Sequence, residues 1–197
     1  AGALLHDVLP LLLRLASSRD DDVSQATMQF VQSYINLLKK LNPIPPAHLA
    51  QVTPLLHVMA DKIRYSPAYD FDSPGDAEET FDQYRRDALI LLKNLFRIAM
   101  EPSLAFVHQR LAHAVGGGAS GEFTEAECGL TLLYEMGEVA RLDQELQRPD
   151  SPLTLIITQV VECGVGGHVH PAVARAFMET LTRYTRFLQA QPGRIPG

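Results

Sequence analysis

Tryptophan is absent from the 197-residue chain, aromatic residues make up only 7%, and the two cysteines are Cys128 and Cys163. So few rings beside a 46% hydrophobic fraction disfavour a β-sandwich core and fit Leu-, Ala- and Val-rich helix packing. Two cysteines 35 positions apart make no disulfide framework, and a reducing nuclear or cytosolic compartment is expected. No apolar run reaches the ~18–20 residues of a membrane span, and the first residues carry neither a basic n-region nor a cleavage site. A basic excess is missing too. The formal charge of −6 argues against binding nucleic acid through the overall field and leaves only a local basic patch for that purpose.

What the chain does contain is one phrase said twice. Val8-Leu9-Pro10-Leu11-Leu12-Leu13-Arg14-Leu15-Ala16 returns 44 positions later as Val52-Thr53-Pro54-Leu55-Leu56-His57-Val58-Met59-Ala60. In both copies a proline interrupts an apolar helical run, so one bent helix is expected to be used twice. A period of about 40–47 residues with paired helices marks a HEAT-type or armadillo solenoid. The predicted class is all-α, an α-solenoid of about four antiparallel hairpins.

Those hairpins are placed at 3–42, 46–101, 102–147 and 152–191. In the first, Val23, Ala26, Phe30, Val31, Tyr34, Leu37, Leu38 and Leu41 form the apolar stripe of the second helix, with Asp20-Asp21-Asp22 at its start. Asn42-Pro43-Ile44-Pro45-Pro46 stops that hairpin and starts the next helix, which runs to about Arg64. A polar insert at about 65–76 delays the fourth helix to Ala77. Glu101-Pro102-Ser103 is read as a turn before a fifth helix at Leu104–Val115. Gly116–Gly121 is read as a flexible linker. Thr124-Glu125-Ala126-Glu127 reads as a capping box for a sixth helix reaching about Leu146. Pro149-Asp150-Ser151-Pro152 repeats the stop-and-cap device before a seventh helix, Leu153–Cys163, and an eighth running from Pro171 to about Gln191. Both ends look cut, at Ala3-Leu4-Leu5 and at Arg194-Ile195-Pro196-Gly197, so a piece of a longer solenoid is expected, whose bared repeat surface would favour self-association.

Catalytic and metal motifs fail on inspection. Gly116 to Gly121 has half the spacing of a phosphate loop, but Glu122 stands where the lysine belongs and the stretch follows a helix. Ser120 lacks the second glycine of a nucleophile elbow. Cys163, His168 and His170 complete no tetrahedral set and are read as a buried thiol and exposed turn histidines. His108 and His113, five apart, do not share a helical face. No enzyme activity, catalytic residue, metal or cofactor is predicted.

Two charged surfaces remain. Asp70, Asp72, Asp76, Glu78, Glu79 and Asp82 follow one another without a cation before Arg85; the first five are candidates for contact with a partner or with a neighbouring repeat, and Tyr69 and Phe71 among them favour docking over a solvated loop. Basic residues come in small sets: Lys39-Lys40, Lys62 with Arg64, Arg85-Arg86, Lys93 and Arg97. Arg86, Lys93 and Arg97 share one face of the fourth helix, a positive stripe suited to RNA phosphates.

Several pieces, in order, resemble the exportin-T family, the nuclear tRNA exporters among the karyopherin-β proteins. They are Leu11–Leu15 with Asp20–Ser24, Phe30, Val31, Leu37 and Leu38; Lys62–Tyr65, Tyr69–Asp72, and Glu78-Glu79, Phe81 and Tyr84–Arg86; Leu130–Tyr134 with Met136–Glu138; and His170–Val173, Phe177–Thr180, Arg183-Tyr184 and Phe187. The resemblance implies a HEAT superhelix that wraps mature tRNA together with GTP-bound Ran, passes nucleoporins and shuttles between nucleus and cytoplasm. Combined with that resemblance, the charge pattern makes the five acids candidates for contact with Ran or a neighbouring repeat, and Arg86, Lys93 and Arg97 candidates for contact with tRNA phosphates. The Gly116–Gly121 stretch departs from the family pattern, and the family's N-terminal region is not in this sequence. The alternative is a protein-only α-solenoid scaffold, or another karyopherin without RNA cargo.

Overall fold

The computed structural model describes residues 2–18, 21–140 and 151–190, in which nine α-helices and two short 3₁₀ turns occur and no strand does. The class is all-α, of the solenoid type expected from the repeat. The chain divides into two compact units, one of Ala1–Ile63 with Tyr69–Ser103 and one of Arg64–Ala68 with Leu104–Gly197.

In the first unit α1 (Gly2–Ala16), α2 (Asp21–Leu38), α3 (Pro46–Ile63) and α4 (Asp76–Ile98) form two consecutive hairpins. First helix packs on first helix and second on second, α1 against α3 and α2 against α4, besides the pairing within each hairpin. This is how a unit too small to close its own core shares one with its neighbour. Leu38, Val52, Leu56, Met59, Leu92, Leu95 and Phe96 are fully buried there. Pro10 and Pro54 both lie inside their helices, as the repeat predicts.

The buried face of α2 differs from the expected stripe. Val23 and Ala26 are exposed while Ser24 and Thr27 are buried. The reason is polar: Ser24 Oγ donates to Ala16 O at 3.2 Å and lies 3.0 Å from Tyr84 Oη of α4, and Thr27 Oγ1 donates to Ser24 O at 2.6 Å. Satisfied hydroxyls can be buried at little cost, and the partners of Ser24 lie 8 and 60 residues away in sequence.

The expected turn at Glu101–Ser103 is instead the opening of α5 (Met100–Ala114). The break is Ala99 alone, at φ −142° and ψ 60°; Pro102 is tolerated because an N–H in the first helical turn has no intrahelical acceptor to lose.

The second unit contains the rest of α5, then α6 (Phe123–Val139), α7 (Pro152–Glu162), α8 (Pro171–Arg183) and α9 (Thr185–Ala190). Glu122, not Thr124, is the cap position of α6; Thr124 lies inside the helix and its hydroxyl donates to Glu122 Oε1 at 2.7 Å, so the expected capping box is absent. Ser151 does cap α7, its Oγ accepting from Thr154 N at 3.1 Å with Pro152 at the first position. The expected extension of the sixth helix to Leu146, and Pro149 and Asp150, lie outside the described residues, as does the stretch after Ala190. The single eighth helix expected from Pro171 breaks at Tyr184, whose side chain turns inward and is 1% exposed.

Gly116–Gly121 is a wound turn, not an extended linker. It contains the 3₁₀ turn Gly118–Ser120, with Gly118 at φ +54°, and it packs against a second 3₁₀ turn, Val165–Gly167. A Cβ on Gly117 would stand 2.7 Å from Gly121 Cα, so the coil closes only because that position is glycine.

Candidate partner-binding surfaces

The acidic stretch is built by local bonds. Asp70 Oδ1 accepts from the N–H groups of Asp72 and Ser73, both at 2.9 Å, a side-chain turn of the kind aspartate favours. Glu78 Oε2 accepts from Gly75 N at 3.0 Å and closes the N-terminus of α4, where Asp76, Glu78 and Glu79 also suit the positive end of the helix dipole. Asp70 and Glu78 therefore hold the loop, while Asp72, Asp76 and Glu79 point into solvent. The rings expected to dock elsewhere are used internally: Tyr69 lies 4.5 Å from Phe71 and 5.9 Å from Phe81 of α4. At the start of the insert Tyr65 is buried, and Arg64 pairs with Glu125 in the first turn of α6, whose other carboxylate oxygen lies 3.1 Å from Arg110 Nη2.

The basic stripe on α4 is less uniform than its spacing suggests. Arg86 is exposed, with Nη2 donating to Gln83 Oε1 at 2.9 Å, and Arg97 is exposed, with Nη1 3.4 Å from Asn94 Oδ1. Lys93 is half-buried, and Arg85, adjacent to Arg86, is 8% exposed. Between Arg86 and Lys93 stands Ile90, 52% exposed, an apolar side chain that charge counting passes over. Asp76, Glu78 and Glu79 lie in the first turn of α4 and Arg86, Lys93 and Arg97 from its middle to its end, so the helix separates the two sets rather than bringing them together.

A third surface was not found by sequence reasoning. Tyr134 of α6 and Arg175, Met178, Glu179, Thr182 and Arg183 of α8 line an open groove of about 560 Å³. The Arg183 guanidinium lies over the Tyr134 ring, 4.2 Å from its centre, and bonds Glu138 at 3.0 Å. The available signal was the four-residue spacing of Tyr134 and Glu138, which puts both on one side of α6.

Of the expected buried thiol and exposed turn histidines, only His168 is the opposite of its expectation. Cys163 is half-buried at the end of α7, and burial raises its thiol pKa, which opposes reactivity. His168 is buried at 8% exposure and His170 half-buried. Among the described residues no three His, Cys, Asp or Glu side chains are grouped to hold a metal, and no helix is long and apolar enough to cross a membrane.

A family model for exportin-T matches residues 1–197. This chain belongs to the exportin-T family. Exportin-T of Arabidopsis thaliana is 29% identical over 98% of the chain and 20% of its own length. Exportin-T of Danio rerio is 28% identical over 95% of the chain, and that of Homo sapiens 28% over 94%, again across 20% of the relative's length. The chain thus spans about one fifth of the exportin-T relatives it matches. Among the residues that resemble exportin-T, Lys62 Nζ donates to Ser18 O, Tyr184 Oη donates to Leu133 O at 2.8 Å, and Thr180 Oγ1 lies 3.3 Å from Leu130 O.

Proposed function

We propose that this chain is a HEAT-repeat section of a nuclear export receptor that carries mature tRNA out of the nucleus with GTP-bound Ran, working as a binding scaffold and not as an enzyme. The observation that carries the reading is the exportin-T match along the whole chain. Stacked hairpins support it physically, because small adjustments summed over repeats let a solenoid change curvature around a partner. The receptor shuttles between nucleus and cytoplasm and meets nucleoporins on the way.

Within this reading Arg86 and Arg97 are the phosphate contacts on α4, with Lys93 supporting them from its half-buried position. Asp72, Asp76 and Glu79 are the acids that meet Ran or a neighbouring repeat, and Asp70 and Glu78 shape the loop that presents them. The division into four hairpins belongs to the same proposal, with the second ending at Ala99, before α5, and not at Glu101. The test is tRNA affinity of the intact protein across a salt series, with GTP-bound Ran present. Each phosphate contact removed should shallow the log–log salt slope by about one; an R86A/R97A variant with unchanged slope and affinity removes α4 from the RNA surface.

The second reading, a scaffold that binds proteins only, is favoured by the net charge of −6 and by the mixed signs around the α6–α8 groove. It predicts no salt-sensitive RNA binding by the intact protein.

A further inference from the structure

The start of α8 is held by two histidine rings used as acceptors. His170 is the cap residue, and its Nδ1 accepts from Ala172 N at 3.2 Å. Its ring lies flat on Phe123 of α6, centres 3.8 Å apart and planes 5° apart. One step back, His168 Nδ1 accepts from His170 N at 3.0 Å, and His168 Nε2 lies 2.9 Å from Gly121 O. A carbonyl only accepts, so His168 Nε2 donates and carries the proton, leaving Nδ1 free to accept. The chain Gly121, His168, His170, Ala172 thus ties the glycine turn before α6 to the first turn of α8, and its two bonds accepted at Nδ1 require neutral rings.

We propose that His170 is a proton-sensitive cap that keeps the α8 start closed near neutral pH and releases it in acid. A second proton must go to Nδ1, where it points at the Ala172 N–H that it now accepts from; a donor then faces a donor. The added positive charge also sits at the positive end of the α8 dipole. The titratable groups that face the ring are His168 on the preceding turn and Glu127 of α6; Phe123 offers only its aromatic face. Burial lowers the His170 pKa, His168 adds to the lowering, and Glu127 opposes both. In the opened segment the imidazole titrates near its ordinary value of about 6.5. Because the closed form binds the proton less readily, its stabilisation is complete above that value and is lost as pH falls from there toward the lowered one.

Hydrogen exchange on the intact protein tests this, comparing about pH 7.5 with about pH 5.0 after correction for intrinsic rates. The amides of 172–176 should lose roughly tenfold in protection in acid, while the α3 amides, which carry no such cap, keep theirs. His170→Asn supplies a capping acceptor that does not titrate, so the acid loss should vanish; His170→Ser provides the same check if the amide is poorly accommodated. A wild-type segment with no acid loss, or variants that keep the full loss, would overturn the proposal.

Discussion

The junction of α6 with α8 and the stretch from Tyr69 to Glu79 are both rich in polar side chains, yet they spend them differently. At the junction Tyr184 sends its hydroxyl across to Leu133 O of α6, 51 residues away in sequence, and Thr180 Oγ1, bonded to Ala176 O of its own helix at 2.8 Å, also lies 3.3 Å from Leu130 O. In the stretch, Asp70 and Glu78 bond backbone groups two or three residues distant. The first pattern defines how two helices meet. The second shapes a loop and leaves three carboxylates in water. A residue motif read from sequence therefore carries different weight in the two places: at the junction it specifies packing, and in the loop it specifies a surface whose use is set by whatever binds it.

The largest effect that would confirm the contrast is expected from Tyr184→Ala. It removes a ring that is 1% exposed together with the bond to Leu133 O, and loss of a buried aromatic side chain costs about 3–5 kcal/mol. Burial also raises the Tyr184 hydroxyl pKa strongly, so the group stays protonated and donating across any practical pH. Exchange of the α6 and α8 amides in the intact protein should accelerate accordingly; unchanged rates would mean the junction is not held by this ring. Next comes Gly137→Ala. The new Cβ would lie 2.7 Å from Arg183 Cγ and 2.9 Å from Tyr184 Oη, and because Tyr184 cannot retreat, overpacking of about 1–3 kcal/mol is expected. The same exchange measurement reads it, and a neutral result would show that α8 shifts freely over α6.

Much of the architecture was legible because helical periodicity and proline placement are local signals. The two prolines inside α1 and α3, Pro46 and Pro171 at helix starts and Ser151 as a cap all sit where the sequence placed them. The misses share one cause. Ser24 is buried because its partners are Ala16 and Tyr84; His168 is buried because Gly121 receives its proton; Tyr184 ends α8 because Leu133 accepts its hydroxyl. None of these partners lies within one helical turn, so no window on the sequence contains the reason. Gly137 falls in the segment that resembles the family, and the cause of its smallness, the approach of Tyr184, is equally distant in sequence. For the candidate surfaces, charge was legible and availability was not: Arg85 and Arg86 are neighbours in sequence, and only the second faces solvent.

On the loop side smaller effects are expected. Asp70→Ala removes the acceptor for two backbone N–H groups, but these are exposed and can turn to water, so the cost should stay under about 1 kcal/mol and be confined to the amides of 69–75. A loss that spread into α3 and α4 would mean that the Tyr69, Phe71 and Phe81 rings depend on this turn for their packing.

The smallest change in stability is expected from Asp72→Asn combined with Glu79→Gln, because both carboxylates are exposed and surface substitutions of this kind usually stay within about 0.5 kcal/mol. That near-neutrality is what makes the pair informative. With the loop intact, any change in affinity of the intact protein for GTP-bound Ran belongs to the removed charges and not to a deformed surface. A fall of several-fold that shrinks as salt is raised would place the contact on this loop. Equal affinities for variant and parent, at low salt where such attraction is strongest, would leave Asp72 and Glu79 as solvated ends of a turn. The weight of partner recognition would then move to other surfaces, such as the second half of α4 and the α6–α8 groove.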